Sequence, residues 1–410
     1  MKLRKYFPVL LFLILILFGG CSTSAKAEVK KAVTNELDLL KNLDPDTTQE
    51  YISYQDLFSD AAPSSNISPE IEETFSLFFE KFDYKIMDVN MDKNSNQAAA
   101  SVRLTTIDAK SLAKDFTSAH LRKEILKNAS TDTDTDASLE DHYLMLGELL
   151  KENDYEKIES NCTINLVRQD DIWVIQKDAT LENNLVGGLL TYLSDPNILS
   201  PSETVSVYLK TLKDMDADQM NSYLNLDSVL NCEDETEQAI AAALVDQVHK
   251  CFNYKVTNES DQGYTAQVTV EITSFDSESI LSAYQTALDK YLATAEAVIQ
   301  GSEGRLAKSQ ELLLDAINSN EATATSEVSF DLTNDGIDWN VEINDKIGKA
   351  LFGNLSTATP NTINDEETSG EDMYDEDYNE ENYSDEEAYY SENYSDTNSD
   401  DDSSYDYYYY

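Results

Sequence analysis

The chain has 410 residues, of which 79 are acidic and 29 basic, and its formal net charge is −50 at pH 7. So acidic a composition argues against a nucleic-acid partner, because phosphate binding requires clustered Lys and Arg side chains. Hydrophobic residues make up 41% of the chain. That fraction is enough for packed cores, and the length fits two or three domains.

The N-terminus has the pattern of an export signal. Basic residues at positions 2, 4 and 5 precede an apolar run from Tyr6 to Phe18, which is 13 residues long. This is the length of a signal-peptide core and is shorter than the ~20 residues of a membrane-spanning helix. The next residues, Gly19-Gly20-Cys21, resemble the lipobox of bacterial lipoproteins, although that family usually has Leu where Phe18 stands.

The lipobox resemblance implies that Cys21 carries acyl chains such as palmitate and becomes the mature N-terminus. The protein would then be anchored by lipid on the extracytoplasmic side of the cell membrane, after removal of a signal peptide at 1–20. Residues 21–27 would form a short tether. The alternative is a plain secretory signal in which Cys21 is incidental.

Four segments of the first half recur in the same order in the second half. The pairs are 33–44 with 205–216, Phe82–Ile86 with Phe252–Val256, Val102–Asp108 with Val270–Asp276, and Trp173 with Trp339. The difference in residue number between paired positions falls steadily, from 172 in the first pair through 170 and 168 to 166 in the last. Trp173 and Trp339 are the two Trp residues of the chain. This order predicts two homologous domains, 28–194 and 195–356.

Within each copy, helical patterns alternate with strand patterns. Strands are predicted at 84–89 and 98–107, and a late hairpin carries the Trp. Helices are predicted at 109–128, 138–153, 276–300 and 303–319, with a capping box at Ser200 and short helices starting at Asp44-Pro45 and Asp216-Ala217. The predicted fold class is α+β, with helices packed on a curved antiparallel sheet in each repeat.

This element order resembles the nuclear-transport-factor-2-like fold, also called the cystatin-like cone. Tandem versions of that fold occur in Gram-positive lipoproteins of unknown function. The resemblance implies a curved sheet wrapped over helices, often with a pocket in the concave face. It transfers no catalytic residue, because no catalytic motif of the family is matched.

Residues 357–410 have a different composition, with 19 acidic residues, 11 Tyr and no Lys or Arg. Such a charge run cannot bury a core, so a disordered and extended tail is predicted. One interpretation is a merely solvated tail. The other is an acidic arm for a basic envelope protein or basic polymer.

The sequence offers few candidates for catalysis or metal binding. Asp132, Asp134 and Asp136 have the spacing of a calcium loop, but Ala137 and Tyr143 stand where Gly and Glu are needed. The HExxH, GxSxG and glycine-rich phosphate motifs are missing from the sequence. We therefore expect no enzyme activity, with no catalytic residue, no cofactor and no metal site.

The histidines and remaining cysteines are predicted to be structural. His120 and His142 have no Cys or His at ligand spacing, and His249 aligns with Phe79 on an apolar helix face. Cys162 is expected to pack as a small hydrophobe. A Cys232–Cys251 bridge is the alternative to two free thiols in this exported chain.

Three function classes remain open. A non-catalytic binding or scaffolding module of the envelope is favoured, and a small-ligand receptor is the alternative. Four aromatic residues are candidates to line a receptor pocket, although core filling is favoured for them: Tyr84, Tyr254, Trp173 and Trp339. The third class, an enzyme, would use Asp108 or Asp276, which are expected instead to cap helices. Filled sheet faces would favour scaffolding, and open cavities with convergent polar groups would favour ligand binding.

Deleting residues 357–410 should leave the thermal unfolding of both predicted domains unchanged. It should abolish weak, salt-sensitive binding of divalent cations or a basic polypeptide, because that binding is electrostatic. Calorimetry and binding titrations at two ionic strengths check this. A deletion that unfolds the second domain would show that the tail packs on the fold.

Overall fold

The computed structural model describes residues 25–44, 58, 69–91, 96–130, 138–224, 226, 230, 235–342 and 345–357. All of them fall within one compact unit that ends at Pro360. Among these residues, no helix combines the length and the apolar character needed to cross a membrane. The signal sequence, Cys21, the predicted short helix after Asp44 and the tail from 358 onward lie outside the described residues.

The first half alternates helices and strands. Helix α1 spans 25–41. The elements that follow are α2 (Pro69–Phe79), β1 (Asp83–Met91), β2 (Gln97–Ile107), α3 (Ala109–Asn128), α4 (Leu139–Glu152), β3 (Lys157–Gln169), β4 (Ile172–Ile175), α5 (Ala179–Leu185) and α6 (Leu189–Leu193). The strands and helices predicted at 84–89, 98–107, 109–128 and 138–153 are confirmed to within two residues.

The second half also places helices before, between and after its two pairs of strands. Its elements are α7 (Pro201–Asp214), α8 (Ala217–Leu224), α9 (Glu235–Cys251), β5 (Asn253–Asp261), β6 (Thr265–Phe275), α10 (Ser277–Leu292), α11 (Ala295–Ile299), α12 (Gly301–Ser319), β7 (Thr323–Asn334), β8 (Trp339–Val341) and α13 (Asp345–Phe352), followed by a 3₁₀ turn at Gly353–Thr357. The short helix predicted at Asp216-Ala217 is confirmed as α8.

Local side-chain chemistry fixes where several helices begin. Ser200 and Glu203 form the predicted capping box, with Pro201 in the first helical position of α7. Asp108 accepts the Ser111 backbone N–H at 3.1 Å, and Asp276 accepts the Glu278 backbone N–H at the same distance. Both acids therefore cap helices as predicted.

One predicted helix is divided in the structure. The pattern over 276–300 predicts a single helix, but α10 ends at Leu292 and α11 starts at Ala295. The reason is Thr294, whose hydroxyl accepts the Ala297 backbone N–H at 3.3 Å and starts a new helix. Side-chain capping of this kind competes with continuation of the helix.

Each half contains one four-stranded antiparallel sheet, in the orders β1-β2-β3-β4 and β5-β6-β7-β8. The register is interrupted at corresponding places, between Ile86 and Asp88 and between Val256 and Asn258. Trp173 and Trp339 both lie on the fourth strand. The two sheets thus share strand order, an irregular position and an aromatic position.

Alternation along the strands buries one face of each sheet. The buried residues of the central strands are Ala100, Val102, Leu104, Cys162, Ile164 and Leu166 in the first sheet, and Val268, Val270, Ile272, Val328, Phe330 and Leu332 in the second. The residues between them are more exposed, as expected for a sheet with one solvated face. The face of each sheet that carries these side chains is therefore filled.

Two hydrophobic cores result, and helix α3 contributes to both. Leu112 and Phe116 pack in the first core, whereas Ile125 and Ala129 pack in the second. The helix lies against α7, where Lys114 pairs with Glu203 at 2.7 Å and Arg122 pairs with Asp214 at 3.1 Å. The domain boundary near residue 194 stays a prediction.

Replacing either Trp by Ala should lower the free energy of unfolding by about 3–5 kcal/mol. Trp173 is 7% exposed and Trp339 is 3% exposed, so each truncation leaves a cavity in its core. Denaturant unfolding measures the change, with Tyr264→Ala as the control, since Tyr264 is 79% exposed. A loss below about 1 kcal/mol for both Trp variants would contradict their role as core residues.

Candidate functional site

The four aromatic side chains considered as pocket residues are held inside the fold. Both Trp side chains are buried. The Tyr84 hydroxyl donates to Asp38 Oδ1 at 2.7 Å, and burial with this carboxylate raises the pKa of Tyr84 to about 12. The Tyr254 hydroxyl donates to the Ser206 carbonyl at 3.2 Å. In each half the Tyr therefore ties the first strand to the first helix.

The two repeated acids are also engaged. Besides its backbone contact, Asp108 accepts the Ser111 hydroxyl at 2.7 Å. Asp276 likewise accepts the Ser279 hydroxyl at 2.7 Å. Both carboxylates therefore have their hydrogen-bonding capacity engaged at the start of a helix, which is the role of an N-cap.

An open cleft of about 280 Å³ lies where α2 and α4 end. Its volume is close to the lower limit for small-molecule sites. It is lined by the apolar side chains Leu77, Ile107 and Leu150 and by the polar residues Glu80, Lys81, Lys151, Glu152, Asn153, Asp154 and Tyr155. The cleft therefore combines a partly apolar wall with charges of both signs.

Ion pairs and hydrogen bonds already occupy most of the charged groups of this cleft. Lys81 Nζ donates to the Asp154 carboxylate and to the Tyr155 carbonyl at 2.7 Å, and the bond to Lys81 lowers the pKa of Asp154. Lys151 pairs with Glu73 at 2.9 Å. Glu80 and Glu152 form no ion pair with a described residue and are the acids available to a ligand.

Tyr155 contributes a phenolic hydroxyl group to the cleft. It donates to Asp115 Oδ2 at 2.8 Å, and burial raises its pKa above the ordinary value of 10.0. A hydroxyl that stays protonated and points its hydrogen at a carboxylate is a poor base and a poor nucleophile. The arrangement suits binding of a small polar molecule better than proton transfer.

The sequence did not reveal this cleft. Its lining comes from the ends of α2, β2 and α4, and the polar run 151–154 reads as an ordinary helix end. A similar contact is present in the second half, where Lys250 Nζ donates to the Asn320 carbonyl at 3.1 Å. Lysine capping of exposed carbonyls at a helix end is a common stabilising device.

Packing of α3 on α4 brings together two histidines that are 22 residues apart in the sequence. The rings of His120 and His142 have centroids 5.3 Å apart, and Phe58 and Phe116 contact the same pair. His142 Nδ1 hydrogen-bonds the Ser138 carbonyl at 2.9 Å. Within the described part of the chain, no three His, Cys, Asp or Glu side chains converge as metal ligands.

His120 also borders a small cleft between the two halves, together with Leu199, Asp338 and Trp339. Its Nδ1 is buried and has no hydrogen-bond partner among the described residues. Burial lowers the pKa of His120, and burial beside Asp335 raises the pKa of Asp338. Both changes favour uncharged side chains at this junction.

The other candidate residues have structural surroundings or lie outside the described residues. Cys162 is buried, and burial raises the pKa of its thiol. His249 is exposed at the edge of α9 and hydrogen-bonds the Met215 carbonyl at 2.9 Å. Cys251 is half-buried, but its predicted partner Cys232 and the acidic run 132–136 lie outside the described residues. The bridge and the calcium loop therefore stay untested.

No protein-family model and no curated protein matches the chain. Among solved structures, it is similar to a candidate lipoprotein (ycdA) from Bacillus subtilis subsp. subtilis str. 168. The identity is 12%, the match covers 66% of this chain and 97% of that one, and the TM-score is 0.26. A likeness at this level does not decide fold or function.

The contribution of His120 to stability should fall as the pH drops below about 6.5, because His120 has a lowered pKa in the folded state. The unfolded chain then binds a proton that the folded chain resists, so the free energy of unfolding rises with pH through this range. In His120→Phe, which keeps an aromatic ring against Phe116, the dependence between pH 5 and 7 should be weaker. Urea unfolding at several pH values measures it, and an unchanged slope would contradict the assignment.

Proposed function

We propose that this protein is a lipid-anchored lipoprotein on the extracytoplasmic side of the cell membrane and acts as a non-catalytic binding or scaffolding module. The observation that supports a non-catalytic binding or scaffolding role is that one face of each sheet is filled by packed side chains. The side chains of the central strands that face the helices are buried. A sheet that is packed in this way offers its outer face, helices and loops to a partner instead of an internal ligand site.

The exposed faces of the two sheets support a role in presenting surfaces. Corresponding rows cross the three long strands: Lys85, Arg103 and Asn161 in the first sheet, and Lys255, Glu271 and Glu327 in the second. The first row has two basic residues, of which Arg103 pairs with Glu159 at 3.4 Å, and the second row has two acids and one lysine. Two similar frameworks thus present different charged groups, and charge complementarity contributes to the choice of partner.

The two halves are, in this proposal, homologous copies of one nuclear-transport-factor-2-like domain. The ordered sequence matches support it, as do the shared strand order, the interruptions near residues 87 and 257, and the equivalent Tyr hydrogen bonds. Tyr84 reaches the carbonyl of Thr34 and Tyr254 that of Ser206, and these acceptors are 172 residues apart, the offset of the first matching segment.

Absence of catalysis is part of the proposal. Asp108 and Asp276 act as helix caps, the Tyr155 hydroxyl donates to a carboxylate, and Cys162 is buried. Each group therefore has a structural task that opposes reactivity. Fold alone does not supply a reaction, because function depends on the chemistry of a site.

A small-ligand receptor is the second candidate, and the cleft beside Lys81 is the observation in its favour. A thermal-shift screen of small zwitterions and amines tests it, with Leu77→Trp as a variant that narrows the cleft. Ligands that raise the melting temperature of the parent protein and not of the variant would support the receptor. Equal shifts in both proteins would place binding elsewhere.

Cys21→Ala should move the protein from the membrane fraction to the extracellular fraction, because the acyl anchor is lost. Labelled fatty acid should be incorporated by the parent chain and by Cys251→Ala, which serves as the control. Fractionation and intact mass measure both effects. Membrane retention of Cys21→Ala at the parent level, with no label in the parent, would contradict the lipid anchor.

A further inference from the structure

The first two turns of α1 carry an exposed group of lysines. Lys26, Lys30 and Lys31 are exposed. Val29 and Val33, on the same stretch of helix, are fully buried in the first core. Among the described residues, none of the three lysines forms an ion pair. The helix therefore presents its basic face to solvent while its apolar face holds it to the fold.

This basic group is confined to the copy that follows Cys21. With the offset of 172, the corresponding residues of the second half are Ile198, Ser202 and Glu203. Glu28 is the single acid within 25–31, so this stretch has a net charge of +2 in a chain of net charge −50. Because the second half folds without basic residues at these positions, the three lysines are not needed for the packing that both halves share.

The position of α1 places these lysines next to the proposed anchor. The helix begins at residue 25, inside the stretch 21–27 predicted as tether. Three residues separate its first residue from Cys21, and the four Cα–Cα steps between them span at most about 14 Å. The start of α1 is then held within roughly one to two Debye lengths of the lipid headgroups at physiological ionic strength.

We propose that Lys26, Lys30 and Lys31 contact the phosphate groups of anionic phospholipids and orient the first half on the membrane surface. This rests on the lipid anchor proposed above. Near an anionic bilayer, each lysine strengthens association by about fivefold. Acidic groups that lie more than a Debye length from the headgroups are screened by salt.

The test uses the lipidated full-length protein in phosphatidylcholine vesicles with and without phosphatidylglycerol. A membrane-impermeant reagent acylates exposed lysines, and mass spectrometry gives the rate at each position. Lys210, Lys290 and Lys349, which are exposed and in the second half, are the internal controls. We expect labelling of the three α1 lysines to slow by about fivefold or more with phosphatidylglycerol, and to recover in about 1 M salt, where the Debye length is about 3 Å.

A pair of matched variants separates local contact from general charge. Lys30→Glu/Lys31→Glu should remove the protection of Lys26, whereas Lys290→Glu/Lys349→Glu, with the same change in charge, should leave it in place. Circular dichroism checks that both variants are folded. Equal labelling rates in the two kinds of vesicle would overturn the membrane contact, with the anchor still shown by intact mass. A mass without acyl chains would instead overturn the proposed function, and this inference with it.

Discussion

Burial of one face of each antiparallel sheet is the interaction on which this structure depends. Alternation along β2, β3, β6 and β7 places large apolar side chains on the same side, where helices cover them. At about 25 cal/mol per Å² of buried apolar surface, these faces provide the main driving force for folding. The same burial fills the helix-covered face of each sheet, and the outer sheet faces, the loops and the cleft beside Lys81 are the described surfaces that remain open to solvent.

Helix α3 makes the two halves interdependent. Its first turns pack in the first core, its last turn packs in the second, and two ion pairs join it to α7. Exposed pairs of this kind contribute little individually, so apolar contacts of Ile125 and Ala129 carry most of the connection. A change in α3 should therefore affect both cores.

Charge is distributed unevenly over the chain, and this bears on its function. Lysines at the start of α1 and the row of Lys85 and Arg103 are local exceptions in a chain of net charge −50. A protein with this composition is repelled by anionic surfaces as a whole, since like charges act over a Debye length. Placing basic residues close to the proposed anchor offsets that repulsion where the chain must approach the membrane.

The α+β class, most strand and helix limits, and the N-caps at Asp108, Ser200 and Asp276 could be predicted from the sequence, because hydrophobic periodicity and capping chemistry are local properties. The anchor at Cys21, the homology of the two copies and the disorder of the acidic tail stay predictions. The contribution of α3 to both cores, the contact of His120 with His142 and the cleft at the ends of α2 and α4 became visible only in the packed structure. Those contacts join residues far apart in the chain, and they depend on how whole helices pack, which no local pattern encodes.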